Sequence, residues 1–196
     1  IAAGLLVWPE SARARARRQM GEALSICRDL LQATLSTSVL GETEDVSELH
    51  SRFAIAISAA RDTAQSLKVR GRGPEHRYAD AVHRIERLWH ALLILDRTIE
   101  SKVGDRLPAS DDTVEKVKAI QSATCDALEC AARFQRAPAE DLEILKEKCQ
   151  EIWRDTRVDT RRDDELPRIA LIFGLSEVSR NMAEIDEAIC AIGAAG

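Results

Sequence analysis

The sequence is poor in the residues that make turns and pack β-sheets. Its 196 residues include nine glycines, five prolines and only 4% aromatic residues. β-Sandwiches and β-barrels need frequent turns and strands rich in aromatic or β-branched side chains, so this composition disfavours both classes. Alanine, leucine, arginine and glutamate are abundant instead, and all four are strong helix formers. The composition therefore predicts an all-α protein.

An excess of positive charge is also lacking. The formal net charge is −5 at pH 7, and the isoelectric point is about 5.5. A protein that binds nucleic acid by neutralising phosphates usually carries a basic domain. We therefore expect no nucleic-acid partner. With 45% hydrophobic and 31% charged residues, the chain has the balance of a folded domain rather than of a disordered one.

The spacings typical of metal and catalytic sites are missing. The five cysteines form no Cys-x-x-Cys pair, and no glutamate stands three residues before a histidine. His76, His83 and His90 repeat every seven residues, which puts neighbours about 10.5 Å apart on a helix, too far to share one metal ion. We predict that these histidines lie on a polar flank. We expect no catalytic residue, no metal and no cofactor, and we interpret the chain as a non-enzyme.

The chain opens with an apolar run, residues 1–8, that is followed by a basic cluster. A membrane span needs about 20 apolar residues, so this run is too short to cross a bilayer alone. Basic residues next to an apolar segment are typical of the cytoplasmic end of a membrane helix. We interpret residues 1–8 as the truncated end of a transmembrane helix; the alternative is a short arm docked on the domain's own core. The membrane-proximal basic cluster comprises Arg13, Arg15, Arg17 and Arg18.

Apolar residues at helical spacing predict six helices. They cover residues 10–38, 45–70, 74–103, 110–134, 138–153 and 166–192, and the charged residues 154–165 are predicted to separate the last two. Pro74 and Pro138 suit the first turns of their helices, and Ser110 suits an N-cap. Phe134 and Phe173 are assigned to inner helix faces. The prediction is an antiparallel bundle of about six amphipathic helices.

The third predicted helix is apolar over more than one face. Besides its inner stripe it carries Leu88, Leu93 and Ile94, which helical spacing turns partly away from that stripe. A helix that is apolar around much of its circumference is either central in a bundle or covered by a neighbour. These residues therefore indicate either a central position or an interface in a homo-oligomer.

Three segments of the chain carry a resemblance to a known family. Residues 5–19, Leu-Leu-Val-Trp-Pro-Glu-Ser-Ala-Arg-Ala-Arg-Ala-Arg-Arg-Gln, resemble the junction between a membrane helix and a long cytoplasmic helix in the fusaric acid resistance and aromatic acid exporter family. Residues 75–101 are similar to that family's leucine-rich cytoplasmic helix. Residues 168–192 are similar to its segment that leads back to the membrane.

This resemblance implies a role in a transporter. Residues 9–196 would form a cytoplasmic helical bundle domain on the cytoplasmic side of the bacterial inner membrane. The whole protein would export aromatic or other organic acids, which would be bound mainly outside this domain. The domain itself would serve assembly, gating or partner contact. The alternative is a soluble helical signalling or scaffold module, and an enzyme with a metal site in the bundle core is a third and weaker interpretation.

Overall fold

The computed structural model describes residues 11–40, 46–70, 76–100, 111–158 and 166–193. Helices account for nearly all of these residues, and no strand occurs in these ranges. The helices are α1 (Ala12–Leu40), α2 (Ser47–Arg70), α3 (His76–Glu100), α4 (Asp111–Ala132), α5 (Ala139–Val158) and α6 (Leu166–Gly193). The prediction of an all-α fold with six helices is confirmed. Residues 1–8, interpreted above as the end of a membrane helix, and Ser110 lie outside the described residues.

Helix α1 packs against three other helices. These are α2, α3 and α4, whereas α6 packs against α3, α4 and α5. Gly21 of α1 lies beside Ala132, and the Gln32 carbonyl of α1 accepts a hydrogen bond of 3.4 Å from the Gln121 side chain. These two contacts show that α4 runs antiparallel to α1, as the sequence predicts.

The core follows the apolar stripes of the sequence. Most stripe residues in the described ranges are buried, and burial of each large aliphatic side chain stabilises the fold by roughly 1.5–3 kcal/mol. The largest fully buried side chains are Met20, Leu24, Ile26, Leu30, Leu31, Leu35, Ile85, Leu88, Leu92, Leu95, Ile120 and Leu128. Leu88 thus belongs to the core, Leu93 is half-buried against it, and Ile94 is exposed. The central position therefore accounts for Leu88 and Leu93, and Ile94 is left on the surface.

Two helix ends differ from the prediction. Helix α5 continues through Val158, into the charged stretch that was expected to separate it from α6. Charged residues do not prevent a helix from continuing, and the arginines of this stretch have good helix propensity. Helix α4 stops at Ala132, so half-buried Phe134 lies in the following turn rather than on the helix. Phe173 of α6 was assigned to an inner face but is 55% exposed.

Polar and aromatic contacts join the helices within the core. The Thr34 hydroxyl of α1 donates a hydrogen bond of 2.9 Å to a carboxylate oxygen of Asp96 in α3, and both side chains are buried. The Trp89 ring of α3 stacks on Phe53 of α2 with ring centroids 3.9 Å apart. The His50 ring meets the same indole edge-on, at 5.3 Å. These contacts fix the register of α3 against both α1 and α2.

Candidate functional site

The basic cluster lies in the first two turns of α1. The Ser11 side chain caps this helix, because its Oγ accepts a hydrogen bond of 3.1 Å from the Ala14 backbone N–H. The first turn contains no acidic residue. The N-terminal end of a helix dipole is positive, so it favours acidic side chains and repels arginines placed there. The charge of these arginines is therefore unfavourable with respect to the dipole of α1.

The four arginines divide into two groups. Arg13, Arg15 and Arg18 are exposed, whereas Arg17 is half-buried and turns toward the end of α6. Its guanidinium group donates a hydrogen bond of 3.4 Å to the Ile192 carbonyl oxygen. The same group lies over the Phe134 ring, 5.7 Å from the ring centroid, within the range of a cation–π interaction. Arg17 thus joins the start of α1 to the end of α6.

A second guanidinium group binds the same helix end. Arg77, in the first turn of α3, donates a hydrogen bond of 2.6 Å to the Ala191 carbonyl oxygen. The last turn of α6 contains no basic residue of its own. The last carbonyls of a helix lack partners within that helix and carry partial negative charge, so cations are favourable there. We call this arrangement the carbonyl clamp: Arg17 and Arg77 bound to the carbonyls of Ile192 and Ala191.

Ion pairs continue the contact between α3 and α6 away from the clamp. Arg84 donates a hydrogen bond of 3.1 Å to the Glu184 carbonyl oxygen, and Arg87 donates one of 2.8 Å to the Glu184 carboxylate. On the other side of α6, the buried Asp186 carboxylate accepts a hydrogen bond of 2.8 Å from the Ala137 backbone N–H. The C-terminal half of α6 is therefore held by α1, by α3 and by the α4–α5 turn.

The clamp places three helix ends together. Arg17 and Arg77 lie near the N-termini of α1 and α3, and the carbonyls that they bind lie at the C-terminus of α6. The exposed arginines of α1 are at this same end of the bundle. The arginine cluster of α1 was predicted from the sequence, whereas Arg77 was not. The seven-residue spacing of Arg77 and Arg84 was the available signal, because it puts both on one flank of the apolar stripe of α3.

The predicted polar flank of α3 is present. His76, His83 and His90 are all exposed. Asp80 forms an ion pair of 2.9 Å with Arg84 rather than with His83, whose Nδ1 lies 3.9 Å from Glu86. Within the described ranges, no group of three or more His, Cys, Asp or Glu side chains lies close enough to hold a metal ion.

Three of the five cysteines are poor nucleophiles. Burial raises the pKa of the Cys27 and Cys149 thiols, that of Cys149 to about 11. Burial also raises the pKa of Cys125 to about 11, although the nearby Arg28 acts in the opposite direction. A thiol with such a pKa is almost entirely protonated at neutral pH, and the thiolate is the reactive form. These three thiols therefore pack as small apolar groups.

None of the helices in the described part of the chain combines the length and the apolar character that a bilayer crossing requires. Comparisons of the chain with protein-family models, with curated proteins and with solved structures give no match.

Proposed function

We propose that this chain is the cytoplasmic helical domain of a bacterial inner-membrane efflux transporter of the fusaric acid resistance and aromatic acid exporter type. The transporter exports aromatic or other organic acids, and their transport pathway lies mainly outside this domain. The domain contributes to assembly, gating or partner contact and has no catalytic role. The resemblance of residues 5–19 to the membrane junction of that family motivates this proposal.

The carbonyl clamp is the observation that carries the proposal. It brings the N-terminus of α1 and the C-terminus of α6 to one end of the bundle, with Arg17 and the Ile192 carbonyl in contact. A domain inserted between two membrane helices needs its entry and its exit on the same side. A bundle of six alternating helices satisfies this requirement, because an even number of antiparallel helices returns the chain to the end at which it started.

The exposed arginines support the same orientation. Arg13, Arg15 and Arg18 are exposed at the end of the bundle that holds the carbonyl clamp, which we call the clamp end. Their positive charge there interacts unfavourably with the dipole of α1. Basic residues close to the cytoplasmic leaflet gain about 1 kcal/mol each from anionic lipids. The energetic cost within α1 is thus offset if this end faces a membrane surface.

Vesicle binding tests the orientation. We expect the chain to float with phosphatidylglycerol vesicles and not with phosphatidylcholine vesicles, and we expect the binding to weaken at high salt. Reversing all three exposed arginines (R13E, R15E and R18E together) should lower the vesicle affinity on the order of a hundredfold.

A matched control variant reverses three exposed cations at the opposite end of the bundle. These are Arg52 near the start of α2, Arg97 near the end of α3 and Lys118 near the start of α4. The change in net charge is the same, so the control should keep the vesicle binding. Absence of binding, or equal loss in both variants, would contradict a membrane-facing clamp end and favour the soluble signalling or scaffold module.

Transport is tested in cells that produce the full-length protein containing this chain. Such cells should accumulate less of an added radiolabelled aromatic carboxylate than cells without the protein. We propose that the proton gradient drives this export, so collapse of that gradient should abolish the difference. Equal accumulation with and without the protein would contradict the exporter assignment even if the vesicle experiment succeeds.

A further inference from the structure

One exposed aromatic residue lies at a groove between two helices. Three large apolar side chains are exposed among the described residues: Ile55 (73%), Ile94 (57%) and Phe173 (55%). Along their helices, Ile55 and Ile94 have mainly polar or small neighbours one turn away. Phe173 instead lines a groove of about 720 Å³ between α5 and α6. We call this surface the α5–α6 groove.

Apolar side chains also line the α5–α6 groove. Leu142 and Cys149 line it from α5, and Ala183 lines it from α6. The Cys149 thiol lies against the backbone of α6, with Sγ 3.8 Å from the Leu175 carbonyl oxygen. Apolar surface around an exposed aromatic ring is characteristic of the centre of a protein interface.

Charged residues on the rim alternate in sign. Glu143 and Lys146 line the groove from α5, and Glu177 and Arg180 line it from α6. The two helices are antiparallel neighbours, so the contact between Cys149 and Leu175 sets their register. Counting back one turn from Cys149 brings Lys146 level with Glu177, and a further turn brings Glu143 level with Arg180. Each level therefore carries one positive and one negative side chain, with the signs exchanged between levels, and within α6 Arg180 also pairs with Glu177 one turn away.

This alternating rim is complementary to a second copy of itself. With a two-fold axis along the groove, Lys146 faces Glu177 of the second copy and Glu143 faces its Arg180. With a two-fold axis across the groove, Lys146 instead faces Glu143 of the second copy. Opposite charges meet in both arrangements, whereas a strongly acidic or basic partner would meet both signs at once. We propose that the α5–α6 groove is the interface of a symmetric homodimer centred on Phe173.

The expected dimer is weak. Two adjacent helices about 30 Å long and 10–12 Å wide present a face on the order of 600 Å². A standard stable interface buries about 800 Å² on each partner. The dimer should therefore form reversibly at high protein concentration, and this expectation does not depend on the transporter assignment.

Sedimentation equilibrium over a concentration series tests the dimer. We expect a reversible monomer–dimer equilibrium that Phe173→Asp weakens at least tenfold, because the variant buries a carboxylate at the centre of the interface. Phe173 is largely on the surface, so the variant should keep its helical circular dichroism. Ile55→Asp is the matched control, since it changes a more exposed apolar residue on α2, and it should leave the equilibrium unchanged. A chain that stays monomeric throughout, or a dimer that only the Ile55 variant weakens, would overturn the proposal.

Charge exchange identifies the axis. K146E alone should weaken the dimer in either arrangement. Adding E177K restores opposite charges across the interface only when the axis runs along the groove. Adding E143K restores them only when the axis runs across the groove. Recovery in one double variant supports the interface and defines its symmetry, and recovery in neither shows that the second copy docks elsewhere.

Discussion

Gly21 of α1 and Ala132 of α4 approach so closely that no side chain fits between them. A Cβ atom added at Gly21 would lie 2.5 Å from the Ala132 carbonyl oxygen, far inside van der Waals contact. The obstacle is a backbone atom, which cannot move aside as the end of a flexible side chain does. This contact sets the distance between α1 and α4 beside the turn that contains Phe134.

We expect Gly21→Ala to destabilise the fold. Separating α1 from α4 should cost about 1–3 kcal/mol, and the better helix propensity of alanine offsets about 1 kcal/mol of that cost. Chemical denaturation measures the difference. Gly193→Ala is the control, because nothing lies within 4 Å of a Cβ at that position, and its stability should equal or slightly exceed the parent value. Unchanged stability in Gly21→Ala would show that α1 and α4 separate without loss.

The turn after α4 has a non-glycine residue in the left-handed region. Phe134 has a φ of 57°, its N–H bonds to the Ala131 carbonyl at 3.0 Å, and the Gln135 N–H bonds to the Cys130 carbonyl at 2.9 Å. This hydrogen-bond pair is the Schellman motif, in which glycine is usual at the left-handed position. Here phenylalanine stands in place of that glycine, and its ring contacts Arg17 of the carbonyl clamp.

Two substitutions at Phe134 separate backbone strain from side-chain packing. Phe134→Ala and Phe134→Gly both remove the ring, but only glycine relieves the left-handed strain. We therefore expect the glycine variant to be more stable than the alanine variant by about 1–2 kcal/mol, the reverse of their order inside a helix. Equilibrium denaturation of the two variants side by side gives this difference. An alanine variant at least as stable as the glycine variant would contradict the left-handed conformation.

The buried thiols make stability sensitive to alkaline pH. A cysteine titrates near pH 9.0 when unfolded, whereas burial holds the pKa of Cys149 at about 11. The unfolded chain therefore releases a proton that the folded chain keeps, so the contribution is intact below pH 9 and declines as pH rises toward 11. Denaturation at pH 8 and pH 10.5 should show a smaller loss for Cys149→Ala than for the parent chain. Equal losses would mean that the Cys149 thiol is accessible to water.

The helices and the apolar core could be predicted from the sequence because both follow from spacing along one helix. The stripe of α1 contains Leu24, Leu30 and Leu31, and all three are fully buried. The burial of Asp96 could not be predicted in this way. It depends on a hydrogen bond that the Thr34 hydroxyl donates from another helix. Local pattern identifies a face, but the partner of a polar group is decided by tertiary packing.

The candidate site shows the same division. The four arginines of α1 form a visible cluster in the sequence, but helical spacing alone does not show that Arg17 reaches α6. The sequence does not indicate the partner of Arg77. That partner is the Ala191 carbonyl, and every residue has a backbone carbonyl. Phe173 is a large apolar residue of the kind usually found in a core. It lines a groove because of where α5 lies beside α6, which the sequence does not show. The spacing of apolar residues along a helix does not predict contacts with backbone atoms of distant segments.

The clamp also determines how the bundle responds to mechanical tension. Because α1 begins and α6 ends on one side, a force that draws those ends apart acts first on the Arg17–Ile192 bond. The load then passes to Arg77 and next to Arg84, so the bonds break in succession, as in peeling. Peeling needs far less force than sliding two helices past each other, where all bonds resist together. The bundle should therefore yield at the clamp end at low tension, while its opposite end stays closed.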